Sequence, residues 1–161
     1  MCRLRFEDFA VGHTFAALVT ITKKDFDIYI SFARTRNILH ENPQLAEKEG
    51  IKGTMLPGRS IIARAEGEMT RLPAFSDCVM LLYGMDGDPT WNNRNTRFLG
   101  EVYSGEDFEV KYIVSEKKDD NGYGILAIDF VISRVKDKKL VVISRRNLYR
   151  IKKVPHNQRG F

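Results

Sequence analysis

The chain has 161 residues, 43% hydrophobic and 29% charged, which fits one globular domain of ordinary size over residues 1–161 and excludes fibrous, collagen-like and disordered classes. The net charge of +5 is uneven: from residue 131 onward ten Lys or Arg face a single acid, Asp137, leaving 16 basic against 20 acidic side chains before it, with a basic tail from about 152. Cys2 and Cys78 have no CxxC partner or nearby histidine pair, Glu7 and Asp8 interrupt any secretory start, and no stretch reaches membrane-spanning length; the expectation is a cytoplasmic protein without metal, disulfide or membrane association.

Residues 14–22 read as a short strand. Thr22, followed three positions later by Asp25, has the form of a capping box, and Phe26, Tyr29, Ile30 and Ala33 then recur on one face of a helix running to about Arg34. The next stretch, 35–58, holds a short helix after Pro43 but is otherwise broken by Gly50, Gly53, Pro57 and Gly58. It reads as loop, and loops on a rigid scaffold are where sites concentrate. Residues 59–72 regain a helical period, with Ile61, Ile62, Ala65 and Met69 as an apolar stripe and Pro73 as the stop; this is the candidate buried central helix.

Residues 78–83 are apolar enough for a strand, 86–95 are rich in turn formers, and 97–103 form a less regular extended piece. Phe108, Val110, Tyr112 and Val114 then alternate with polar residues up to 117–122, where Asn121-Gly122 favours a hairpin. A second long strand covers 125–135, a turn 137–139, and a third strand 140–151, with Val141, Ile143, Tyr149 and Ile151 expected on one face. Three such strands make an antiparallel meander, so the fold class is α+β: one strongly curved sheet against a central helix. Lys136, Lys138 and Lys139 fall in the turn, and Arg146 and Arg150 alternate with apolar residues. That is the pattern of a solvated face. No RNA-binding aromatic signature or helix-turn-helix accompanies it, so nucleic acid is not an expected partner.

Between the first helix and the loop stand Thr35, Arg36, Asn37, Ile38, Leu39 and His40. This order resembles the motif of the MaoC-like hydratases and dehydratases of the (R)-specific enoyl-CoA hydratase type. There the order is Asp, any residue, Asn, Pro, an aliphatic residue and His, then an acid and Pro, and later a Gly before the central helix. Asn37, Leu39, His40, Pro43 and Gly58 fall in step. Phe-Glu-Asp-Phe-Ala-Val-Gly at 6–12 resembles the family's first strand, and 98–106 its strand and turn ending in Gly-Glu, so the likeness covers nearly the whole chain. It implies a hot-dog fold and a thioester substrate carried by coenzyme A or acyl carrier protein. It further implies no separate cofactor, and a homodimer or a hetero-oligomer with a related subunit.

Hydration of an enoyl thioester needs proton handling for water and for the α carbon, and donors for the developing enolate oxygen. The resemblance assigns the first task to His40 with Asn37 beside it, and the second to the Gly58 N–H at a helix start. Arg59, and Arg64 beyond it, are candidates for the phosphates of the carrier. The position of the family's catalytic Asp is occupied by Thr35, whose hydroxyl is no carboxylate base; Ile38 for Pro and Pro57 for His are smaller departures. A carboxylate from elsewhere, Glu41, Asp86 or Asp88, is one remedy. A non-catalytic subunit that relies on a partner is another.

Glu66 and Glu68 on the central helix offer a third function, thioester hydrolysis, but read first as a polar helical face without partners. Asn37 also suits a cap, and His40 a loop histidine bonded to backbone. His13 and His156 read as surface residues. Tyr83 and Trp91 are candidates for an acyl pocket or for plain core, and Met55, Met69, Met80 and Met85 for core.

Overall fold

The computed structural model describes residues 5–76, 80–85 and 95–152. Expectations for Cys2, Cys78, Asp86, Asp88, Trp91, His156 and the basic tail fall outside them, as do the side chains of Tyr83 and Met85. The segment 6–12 is not a strand. The Asp8 carboxylate accepts the Arg5 N–H at 2.8 Å and winds Phe6–Asp8 into one 3-10 turn that buries Phe6 and Phe9.

Strand β1 (Thr14–Thr20) leads into helix α1 (Lys23–Ala33). The capping box forms: the Asp25 N–H donates to Thr22 Oγ1 at 3.2 Å, and the Thr22 N–H donates to the Asp25 carboxylate at 3.0 Å. These bonds from Thr22, with Arg64 at 3.0 Å behind them, hold the Asp25 carboxyl below its ordinary range. Phe26 is buried and Tyr29 and Ile30 are half-buried, but Ala33 is exposed, because Arg34 turns left-handed at φ 51° and ends the helix there. The stretch expected as loop is more ordered than its composition implies. It holds α2 (Ile38–Glu41), capped by Asn37, and α3 (Pro43–Lys48), capped by Asn42 with Pro43 at the first helical position.

The central helix, α4, spans Gly58–Arg71 and buries Ser60, Ile61, Ala65 and Met69. It is fastened to the sheet through its backbone: the Tyr112 hydroxyl, fully buried, donates to the Ala65 carbonyl at 2.7 Å. Strands β2 (Met80–Met85), β3 (Thr96–Phe98), β4 (Asp107–Asp120), β5 (Tyr123–Arg134) and β6 (Leu140–Lys152) complete a six-stranded sheet. Its order is β1-β4-β5-β6-β2, with β3 also on β6, and all pairings are antiparallel. The β4–β5 hairpin closes with Asn121 at φ 37° and Gly122 at φ 86°. Two positive φ values make the type I′ turn whose twist matches paired strands, and glycine takes that conformation without a Cβ penalty.

One expectation about β6 fails. Val142 and Ser144 face inward opposite Ile132 and Phe130, whereas Asn147, Tyr149 and Ile151 face inward opposite Ile128, Leu126 and Gly124. An extra residue between Ser144 and Asn147, with Arg146 at φ 54°, shifts the alternation by one. Ile143 therefore lies on the outer side and is not in line with Tyr149 and Ile151. Bulges bend the strand that carries them, and this one falls where β6 passes from pairing β3 to pairing β2.

Candidate functional site

The site is assembled from three segments held by backbone bonds. Thr35 follows the left-handed Arg34, and its N–H donates back to the Ile30 carbonyl at 3.3 Å, so its position is set by the closure of α1. Asn37 commits Oδ1 to the Leu39 N–H at 3.0 Å as the cap of α2. What its side chain retains for a ligand is the amide NH2. His40 lies one turn further on, and its Nδ1 is 2.9 Å from the Met55 carbonyl oxygen. A carbonyl only accepts, so Nδ1 carries a proton, and in the neutral ring the lone pair is then on Nε2, the form a general base needs.

The Met55 carbonyl is itself well anchored. Met55 bridges Tyr103, the Leu56 N–H donates to the Val102 carbonyl at 2.8 Å, and the Ser104 N–H donates to the Thr54 carbonyl at 2.9 Å. The chain then enters α4 through Pro57, which has no side-chain cap to offer; the Ser60 N–H donates to the Pro57 carbonyl at 2.9 Å, and Gly58 and Arg59, the first two residues of the 14-residue helix, line the site. Gly58 is required there by close approach: a Cβ would stand 2.3 Å from the Phe98 ring.

Thr35, Asn37, His40, Gly58 and Arg59 all line one cavity of about 600 Å³. The five residues expected to form the site are thus brought together. The same cavity holds Glu101, which the sequence reading did not single out as a site residue. Glu101 is exposed, but its backbone is fixed: Arg134, only 9% exposed, donates Nη1 to the Glu101 carbonyl at 3.0 Å and holds Asp137 with its other nitrogens at 3.1 and 2.5 Å. The Arg134 hydrogen bonds hold the Asp137 carboxyl down at about 2. No local signal marks Glu101, since an acid in a strand-turn segment is ordinary and only tertiary pairing brings it to the cavity that His40 lines.

The other carboxylates behave differently. Glu41 lies in a separate cleft that shares His40 but not Thr35 or Gly58, and sits 4.0 Å from Arg36. Glu68 stands beside Arg64 at 3.7 Å and Arg71 at 3.8 Å. Glu66 accepts the Tyr149 hydroxyl at 3.0 Å. The expectation that neither helix acid has a partner is therefore corrected: Glu68 is paired by Arg64 and Arg71 on neighbouring turns of its own helix, and Glu66 by Tyr149 from a distant strand. Arg64 pairs with Asp25 and Glu68 and does not line the cavity. His13 is exposed, with its Nδ1 accepting the Ala10 N–H at 3.3 Å. Met69 is fully buried, as expected of core.

An antiparallel sheet around a buried central helix is the hot-dog fold. Among solved structures the chain resembles a monoamine oxidase regulatory protein from Archaeoglobus fulgidus, with a TM-score of 0.78 at 20% identity over 96% of this chain and 98% of the other. It also resembles a MaoC-like dehydratase from Rhodospirillum rubrum, with a TM-score of 0.73 at 13% identity over 94% and 99% of the two chains. An R-hydratase from Pseudomonas aeruginosa gives a TM-score of 0.70 at 18% identity over 93% and 85%. The fold is that of the MaoC-like dehydratases and (R)-hydratases. No family model matches the sequence, and no curated protein matches it. Among the described residues no helix is long and apolar enough to cross a membrane.

Proposed function

We propose that the chain hydrates enoyl thioesters, or dehydrates 3-hydroxyacyl thioesters in reverse, on a coenzyme A or acyl-carrier-protein carrier. The observation that carries this reading is the convergence of Thr35, Asn37, His40 and Gly58 on one cavity together with Glu101. As water oxygen bonds to C3 of the enoyl group, His40 Nε2 takes a water proton, and it returns that proton to C2 as the double bond is consumed. The Gly58 N–H receives the charge that develops on the thioester oxygen. The Thr35 hydroxyl and the Asn37 amide hold the water, and the Glu101 carboxylate, in the same cavity, supplies the negative charge that favours the transient imidazolium. Arg59, which lines the same cavity, is the candidate for the carrier phosphates. The reaction as written needs no cofactor beyond the carrier.

Assembly into a homodimer or a hetero-oligomer belongs to the same reading, since β1 and β2 are the outer strands of the sheet and unpaired edges invite pairing. Thr35 supports one second reading, a subunit that binds acyl chains while a related partner supplies the base.

Loss of conjugated-thioester absorbance with crotonyl-CoA and longer enoyl-CoA tests both. His40→Ala is expected to lower the rate about 100-fold or more, the usual weight of a general acid–base group. An unchanged rate in His40→Ala removes the proposal. No turnover by the native chain but a gain in Thr35→Asp transfers it to the partner-subunit reading.

A further inference from the structure

A second cavity, of about 410 Å³, shares Arg59 and Phe98 with the first. Its helix side is Arg59, Ile62, Ala63 and Glu66, spaced i, i+3, i+4 and i+7, so it follows a single stripe of α4 away from Gly58. From Gly58 to Glu66 the helix rises about 12 Å, the length of an extended acyl chain of roughly eight to ten carbons. The walls along this path are mostly apolar, Ile62, Ala63, Leu82, Phe98 and Phe130, and the polar Thr96 and Asn147 beside them are each hydrogen-bonded to Ser144. The far end is not apolar: it presents the Glu66 carboxylate and the Tyr149 hydroxyl, bonded to each other at 3.0 Å.

A carboxylate offers about four acceptor sites, and Tyr149 fills one of them. Tyr149 is 3% exposed, and burial first, then Glu66, pushes its ionisation upward, so the hydroxyl keeps its proton and its oxygen can still accept. An alkyl end laid against this pair would displace water from the carboxylate and return no hydrogen bond, which is unfavourable. A group that donates would restore them.

We infer that the thioester taken by this chain carries a medium-length acyl group ending in a hydrogen-bond donor, a hydroxyl or an amine, received by Glu66 and Tyr149. This rests on reading the first cavity as the thioester site. Phe98, 52% exposed and packed over Gly58, stands between the two cavities and directs the chain from one to the other.

Calorimetric titration of the intact chain with saturated thioesters, which cannot be hydrated, separates the two ideas. The ligands are octanoyl-CoA, 8-hydroxyoctanoyl-CoA and 8-aminooctanoyl-CoA. The donor-ended chains are expected to bind about 10-fold more tightly than octanoyl-CoA, as one hydrogen bond to a charged group allows. In Glu66→Leu that advantage disappears. In Glu66→Gln, which preserves the fold should the leucine variant not, the hydroxyl-ended chain keeps part of it and the amine-ended chain loses more, because the negative charge is gone. Equal affinities in the native chain, or an advantage that survives Glu66→Leu, overturn the inference and leave the thioester site standing. Failure of all three to bind overturns the thioester site, and the inference with it.

Discussion

The β4–β5–β6 meander and the 35–58 segment are built on opposite principles. In the meander nearly every residue is paired across strands, and the inward side chains from Phe108 to Ile132 are close to fully buried. In the 35–58 segment only Ala46 and Leu56 are buried, and position is set by single polar contacts: Thr35 N–H to Ile30, Asn37 to Leu39, His40 to Met55. Stability distributed over many apolar contacts leaves a short, polar, solvent-reached segment free to carry chemistry.

The largest expected effect sharpens that contrast. Phe130 is 1% exposed and meets Tyr112 edge-on at 5.3 Å; Phe130→Ala is expected to lower stability by about 3–5 kcal/mol in urea denaturation. His40→Ala, in the same assay, is expected to cost under about 1 kcal/mol. Similar losses at the two positions would erase the distinction drawn between the regions.

Gly58 stands where the two regions meet. Gly58→Ala favours the helix but drives a methyl group into the Phe98 ring, so stability is expected to change by less than about 2 kcal/mol, with the helix gain and the overpacking partly cancelling. Acyl-CoA binding should weaken about 10-fold, a shift of about 1.4 kcal/mol. Adding Phe98→Ala should restore it in part, and failure to do so would show that the added methyl group does not act through the Phe98 ring.

The smallest effect concerns acid. Asp137 has its carboxyl lowered from 3.8 to about 2, chiefly by the Arg134 hydrogen bonds. A depressed folded-state value contributes stability above the unfolded value, and that contribution is lost as pH falls from about 4 toward 2. Melting temperatures of Asp137→Asn across this range should therefore fall less steeply with acid than those of the native chain. Parallel slopes would mean that the pair does not couple to folding.

The meander was legible because strand alternation and the Asn121-Gly122 turn are local signals, and the capping box at Thr22 and Asp25 equally so. Its one misreading, Ile143 in line with Tyr149, arose because a bulge inserts a residue without changing composition. In the 35–58 segment the sequence named Thr35, Asn37, His40, Gly58 and Arg59 through a spaced motif, but it offered no sign of Glu101, which reaches the cavity through pairing of 102–104 with 54–56 and through Arg134. The partner of Glu66 was hidden for the same reason, whereas those of Glu68, Arg64 and Arg71, stand at the local spacings i−4 and i+3.

Alternation, caps and turn chemistry act over two to five residues, so the sequence alone determined the strands, the central helix and the order of the motif. Which carboxylate shares the cavity with His40, and what closes the far end of the second cavity, depend on residues brought together from positions tens of residues apart. Only tertiary packing decides them, because no local preference couples Glu66 on α4 to Tyr149 on β6.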